Sequence, residues 1–408
     1  MGPSIIGRQG LPIFANFFLW SVGTGAIQLA RPLFAASFGV PVFLVSLITS
    51  SNSVARLVSA PITGWAMDRW GRRPVLIIGV VLRGITALWE FFTESYLEFL
   101  VLEFIGGIGV AIWATGANIL IGDVSDKENR GMVVATRSFS IKLGTILGPA
   151  IGALLSVFFG LRSIFLFNFC TKILMLVILL WMMRETRPEP KRHADGQLVA
   201  KKKIDPGLFL NKPFVTVAFA TIAISSMQQG VFQALFPVFS QNTLGLPAND
   251  IGVMMTFAGV TSLIISFPNG WLVDQFGRKA SMVPGLIILG LACYLLGLST
   301  GYWGVALMVL VYGVGEGMAT GSSQAYAIDL APEENRGAFI GVWSLLQNAG
   351  SIIAPISIGV MADAVGFGPT FTVVAIIMAL SALLTWAFGI ETYSRASRRV
   401  PQAPGVST

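Results

Sequence analysis

Glu316 and Glu103 stand inside apolar stretches, where a charge is costly. Glu316 lies roughly midway along an apolar run at about 303–328, and no acidic residue of the second half shares its depth. Glu103 lies in the outer part of a run at about 97–122. An ionisable side chain near a bilayer centre costs several kcal/mol unless paired or hydrated, so each is a functional candidate by default. Glu316 is read as a carboxylate that binds a proton or cation, with a structural partner for a basic residue as the alternative. Glu103 is either a second proton site or the counter-ion of Arg31 or Arg83. Arg31, Arg56, Arg83, Arg137, Lys142 and Lys172 also interrupt apolar runs. Arg83 and Lys172 are expected to snorkel or pair. Arg56 and Lys142 fall on polar stripes and are candidates for contacting an anion. Such stripes at helical spacing outline a candidate substrate cavity of Gln28, Arg31, Arg56, Lys142, Gln228, Gln229, Gln233, Tyr312 and Gln347.

The elements that must carry these residues are membrane-spanning helices. Of 408 residues, 54% are hydrophobic and 12% charged, and the mean hydropathy is +0.75. A soluble chain carries roughly 25% charged residues. A spanning helix needs about 20 mostly apolar residues. Twelve runs qualify, at about 11–36, 41–66, 74–93, 97–122, 132–159, 162–183, 213–239, 249–273, 281–299, 303–328, 338–362 and 367–390. The first reads as an uncleaved helix rather than a signal peptide. The fold class expected is an all-α membrane protein.

Basic residues fix an orientation. Arg69, Arg72 and Arg73 follow the second run, Arg278 and Lys279 the eighth, and Lys201 to Lys203 lie in the long loop after the sixth. The alternate loops hold almost none, Arg162 being the clear case. By the positive-inside rule both termini and the 184–211 loop face the cytoplasm. The short loops and tails favour a prokaryotic inner membrane.

The chain repeats itself. Gly64 to Arg73 recurs as Gly270 to Lys279, and Asp68 to Asp274, Asp123 to Asp329, Arg130 to Arg336 and Pro149 to Pro355 are all steps of 206 residues. One offset at separate loci means duplication of a six-helix unit, an arrangement transporters use. The expected domains are a bundle at 1–185, a linker at 186–211, a second bundle at 212–392 and a tail at 393–408.

The segment Gly64-Trp-Ala-Met-Asp-Arg-Trp-Gly-Arg-Arg resembles the loop 2–3 signature of the major facilitator superfamily, with a degenerate copy after the eighth helix. The resemblance implies two pseudo-symmetric six-helix bundles. It also implies a cytoplasmic gate of Gly64, Asp68, Arg69, Gly71, Arg72, Arg73 and Asp123, with Asp274, Arg278 and Asp329 as the weaker copy. Gly64 and Gly71 are expected to allow tight turns. Gly144, Gly148, Pro149 and Gly152 resemble the helix 5 motif of the family's drug/proton antiporters, with Ala153 as a departure. In that family helix 5 packs against helix 8, and the resemblance implies proton-coupled export of an amphipathic or hydrophobic compound. A proton-coupled importer of a small polar or anionic nutrient is the alternative.

Other classes lack their chemistry. There is no Gly-x-x-x-x-Gly-Lys-Ser/Thr phosphate loop. The one His, His193, lies in the central loop, so no catalytic set or metal site suggests itself. Cys170 and Cys293 read as small core residues. The basic residues are dispersed over short loops, which argues against nucleic acid. The chain is expected to need no cofactor, to be no enzyme, and to be monomeric; its partners are a small molecule, protons and lipid.

Overall fold

The computed structural model describes residues 10–124, 130–181, 212–331 and 336–392, and their side chains outside 10–11, 120–124, 130–131, 213 and 336–338. The expected linker, the tail and His193 lie outside the described residues, as does the side chain of Asp123.

Among the described residues there are helices and no strand. In lipid a backbone must satisfy its own hydrogen bonds, which long helices do. Twelve are long and apolar enough to span a membrane. They are α1 (Gly10–Ala36), α2 (Val42–Trp70), α3 (Arg72–Phe92), α4 (Tyr96–Val124), α5 (Arg130–Phe159) and α6 (Ser163–Trp181). Then come α7 (Lys212–Asn242), α8 (Ala248–Phe276), α9 (Lys279–Leu298), α10 (Tyr302–Leu330), α11 (Arg336–Val365) and α12 (Phe367–Phe388). The chain is an integral, multi-pass membrane protein.

Gly71 ends α2 with φ +97° and Gly277 ends α8 with φ +96°, a backbone that glycine adopts at little cost. Gly64 is different. It lies inside α2, which runs on to Trp70, and nothing comes within 4 Å of where its Cβ would stand. It is therefore not a turn residue. Gly270 inside α8 is the same.

The helices form two compact units. The first holds Met1–Lys201, Gln228–Gly259 and Ser351–Phe367. In it α1 packs along α5 and α6, α2 against α4, and α3 against α4 and α6. Its core centres on Trp20 stacked over Trp113 at 5.2 Å, with Phe17 edge-on to Trp113 at 5.8 Å. The second unit holds Lys202–Met227, Val260–Gly350 and Gly368–Thr408. In it α9 packs along α10. The duplication is visible in the packing of each. A methyl at Gly79 of α3 would stand 3.3 Å from the Gly109 carbonyl of α4. One at Gly285 of α9, 206 residues on, would stand 2.8 Å from the Ala319 nitrogen of α10.

The glycine stripe of α5 meets α1. A methyl at Gly148 would come within 2.6 Å of Gly25 Cα, Ala26 N and Val22 O, and one at Gly144 within 2.9 Å of Ser21, Phe18 and Val22. The N-terminal half of α8 reaches α5 through other residues. Gly252 packs on Ala153 and the Pro149 carbonyl, and Gly259 on Ile146.

The buried positions of α6 (Ile164, Phe165, Asn168, Thr171, Lys172, Met175, Leu179) follow a three-and-four spacing. Cys170 falls off that stripe and is exposed, contrary to the core placement read from sequence. Cys293 is buried, its thiol 3.3 Å from the Phe371 carbonyl.

Residues Ser226–Leu235 of α7 are wound as a π-helix between α-helical Lys212–Ser225 and Phe236–Asn242. Pro237, two residues beyond the stretch, has no N–H to offer the Gln233 carbonyl one turn back, a recognised cause of such irregularity. Gln228, Gln229 and Gln233 all lie on this stretch.

Candidate functional site

The first four helices of the first unit build one buried charge network. Arg31 of α1 places Nε 3.0 Å from Oε1 of Glu103 on α4. Arg83 of α3 places Nη2 3.7 Å from that same oxygen, and donates from Nη1 to Glu90 Oε1 at 2.6 Å and from Nη2 to Glu90 Oε2 at 3.3 Å. Asn52 of α2 donates to the Glu103 backbone carbonyl and to Oε2, both at 3.1 Å. Arg83 Nη1 also donates to Thr86 Oγ1 at 3.2 Å. The Glu90 and Glu103 side chains are fully buried, that of Arg83 is 4% exposed and that of Arg31 is 12% exposed.

Each helix makes room for this. Thr86 and Glu90 fall three and seven residues after Arg83, on its own face of α3. Gly106 on α4 leaves the passage for the guanidinium, since a methyl there would lie 2.5 Å from Arg83 Nη1. The two arginines and two glutamates cancel in charge, the condition under which ions survive a low-dielectric interior.

Of the sequence candidates, Glu103 and Arg31 are thus brought together, and Glu103 serves as counter-ion to both Arg31 and Arg83. Arg56 of α2 is half-buried, makes no ion pair among the described residues, and lies near enough to Arg31 for their charges to repel. Gln28, Lys142, Gln228, Gln229 and Gln233 are half-buried within the same unit. Arg83 pairs, as expected. Lys172 does neither of the two things expected of it: it is 2% exposed, so it does not snorkel, and its amine has no hydrogen bond.

Glu316 belongs to the second unit. It is half-buried, fourteen residues from either end of α10, and makes no ion pair among the described residues. At 1.5 Å per residue that is about 21 Å from each end. Buried Tyr312 lies one turn earlier on the same helix. In the same unit Trp343 of α11 donates to Thr221 of α7 at 3.1 Å, and Thr221 bonds Ser323 of α10 at 2.9 Å. Gln347 is one turn beyond Trp343 and half-buried.

The gate motif divides between the units. In the first, Arg72 lies 3.4 Å from Asp68 and donates to the Met67 carbonyl at 3.1 Å. Arg73 donates to the Leu179 carbonyl at 3.2 Å, at the end of α6, and Arg69 lies over the Trp65 ring at 5.5 Å. In the second, Arg278 lies 3.6 Å from Asp274 and 2.9 Å from Asp329. Glu391 accepts from the backbone N–H of Arg278 at 2.8 Å and of Lys279 at 3.2 Å. Lys279 donates to the Trp386 and Gly389 carbonyls at 2.7 and 3.0 Å. In the second copy part of the bonding runs through Glu391, for which sequence alone gave no expectation. Glu90, Asn52 and Thr86 were likewise not chosen. The spacing of Glu90 from Arg83 was the signal available. Among the described residues no group of three His, Cys, Asp or Glu could hold a metal ion.

The family model described as Major Facilitator Superfamily matches residues 13–249 and 218–406. The chain is 24% identical over 390 residues to Multidrug resistance protein 1 of Bacillus subtilis, covering 94% of this chain and 97% of that protein. It is 21% identical over 381 residues to the quinolone resistance protein NorA of Staphylococcus aureus, covering 92% and 95%. The crystal structure of a D-xylose–proton symporter superposes with a TM-score of 0.75 at 20% identity, covering 94% of this chain and 98% of that one.

Proposed function

Because the chain belongs to the Major Facilitator Superfamily, we propose that this transporter is a proton-coupled exporter of an amphipathic or hydrophobic small molecule, working by alternating access. The observation that carries the reading is Glu316, a half-buried carboxylate at the midpoint of α10 with no ion pair among the described residues. Such a group can hold a proton or the cationic part of a substrate, but not both. Exclusion of one by the other is what exchange requires. Relatives named for multidrug and quinolone resistance support the cargo class. The basic loops after even-numbered helices support cytoplasmic termini in a prokaryotic inner membrane. Asp68, Arg72 and Asp123, with Asp274, Arg278 and Asp329, are proposed as the cytoplasmic gate. Glu103 is proposed as a second coupling residue, held in reserve by Arg31 and Arg83.

A second reading is favoured by Arg31 and Arg56. An anion drawn to this pair of cations would release Glu103 from Arg31, and the freed carboxylate could take a proton. Anion and proton would then travel together, as in an importer.

Efflux of a fluorescent lipophilic cation from energised cells tests the first reading. The expected result is protonophore-sensitive efflux that Glu316→Gln abolishes. Absence of efflux with the protein folded in the membrane overturns it, and proton-dependent uptake of a lipophilic anion, lost in Arg31→Gln, then establishes the second.

A further inference from the structure

Lys172 is a fully enclosed charged group of the first unit that the network does not absorb. Its side chain reaches α1, where a methyl at Gly23 would stand 3.1 Å from Nζ, and its Cβ lies 3.4 Å from where one at Gly84 of α3 would stand. Nζ has no hydrogen-bond partner among the described residues and lies 4.3 Å from the centre of the Trp20 ring. Asn168, one turn earlier and 1% exposed, has neither its amide nitrogen nor its oxygen bonded. Buried polar groups are nearly always bonded, so unbonded ones side by side call for an explanation.

The helices packed against α6 carry charged groups of their own. From α3 comes Arg83, the charge that Lys172 feels, already matched by Glu90 and Glu103. From α1 comes Arg31, matched by Glu103. From α5 comes Arg137, which lies over the Phe17 ring at 5.3 Å. On α6 itself Lys172 is the one charged residue. A proton on Nζ therefore adds a positive charge beside a network that is already neutral. The Trp20 face offsets only part of what burying an unpaired ammonium costs. The proton is conditional on a carboxylate turning towards it.

We propose that Lys172 is a further proton-binding site of the transporter, occupied when Glu103 or Glu90 is released from its arginine and empty when both are held. The lone pair of Nζ takes one proton from water to give the ammonium, and that N–H bond breaks later in the cycle to return the proton to water. The inference rests on the proton-coupled reading above.

Two readouts on the purified full chain test it. The first needs no substrate. Trp20 fluorescence, isolated as the difference between the natural protein and Trp20→Phe, is followed across about pH 5 to 10. Because protonation and carboxylate release are linked, falling pH draws a carboxylate to the amine and a sigmoidal change is expected, absent in Lys172→Met, which has no amine to protonate, and in Lys172→Arg, which never loses its proton. A flat difference in the natural protein, or a sigmoid that survives either substitution, overturns the proposal, and the Arg variant decides if the Met variant fails to fold. The second readout is the number of protons moved per fluorescent cation in proteoliposomes under a pH gradient. It is expected to fall by one in Lys172→Met, and an unchanged ratio overturns the coupling role. If the natural protein moves no protons, the proton-coupled reading fails, and the first readout decides Lys172 by itself.

Discussion

Asp363, near the end of α11, accepts a hydrogen bond from the backbone N–H of Phe43 at 2.8 Å, and its other carboxylate oxygen accepts from Val42 at 3.0 Å. A residue 320 positions away thus caps the first turn of α2. A carboxylate suits such a helix start, whose unpaired N–H groups carry partial positive charge. Asp363→Ala is expected to cost about 0.5–1 kcal/mol at this exposed position. Asp363→Asn should lose less, since its amide oxygen still accepts. Thermal unfolding of the purified variants measures both, and equal midpoints for all three proteins would show that the contact contributes nothing.

The network of Arg31, Glu103, Arg83 and Glu90 predicts strong coupling between substitutions. Glu103→Leu leaves Arg31 buried without a counter-ion and is expected to destabilise by roughly 3–5 kcal/mol. Arg31→Met combined with Glu103→Leu removes both charges and should recover much of that loss, because Arg83 keeps Glu90. A double-mutant cycle by denaturant unfolding reads the coupling energy. Additive effects would refute an energetic pairing of Arg31 with Glu103.

The glycines of α5 should not be equivalent. Gly148→Ala places a methyl 2.6 Å from backbone atoms of α1, which must move, so folded yield and thermal stability should fall sharply. Gly152→Ala meets its neighbours at an ordinary 3.5 Å and should be tolerated. Comparable losses in both would mean that the stripe serves something other than the approach of α5 to α1.

Gly64→Ala separates folding from function. With open space beside it inside α2, alanine should stabilise the helix by about 0.5–1 kcal/mol. If transport nevertheless falls while the melting temperature rises, Gly64 is needed by another state of the cycle. Unchanged transport would remove it from the gate.

Much of this architecture was legible before any coordinates. Apolar runs longer than 20 residues have one stable form in lipid, and the 206-residue offset brought Gly71 and Gly277 to equivalent turns. What was not legible depends on which side chain faces which. Periodicity marked Gly144, Gly148 and Gly152 as one face, but it says nothing of the helix that the face meets. Glu90 near the end of α3 reads as an interfacial carboxylate until Arg83 is seen to turn towards it. Glu391, beyond the last span, could not be tied to α9 by spacing, because 112 residues separate it from Lys279. Lys172 looked long enough to reach water, and only the packing of Gly23 and Trp20 around it shows that it stays inside.

The π-wound stretch of α7 has a consequence for how the three glutamines can move. An α-helix turns about 100° per residue, so one residue gained or lost in its winding rotates everything beyond by that amount. If the stretch shifts along α7, or tightens to ordinary winding, Gln228, Gln229 and Gln233 swing to new bearings with little displacement of the helix axis. The helix would then act as a gear rather than a lever, presenting a different set of hydrogen-bonding groups by rotation in place.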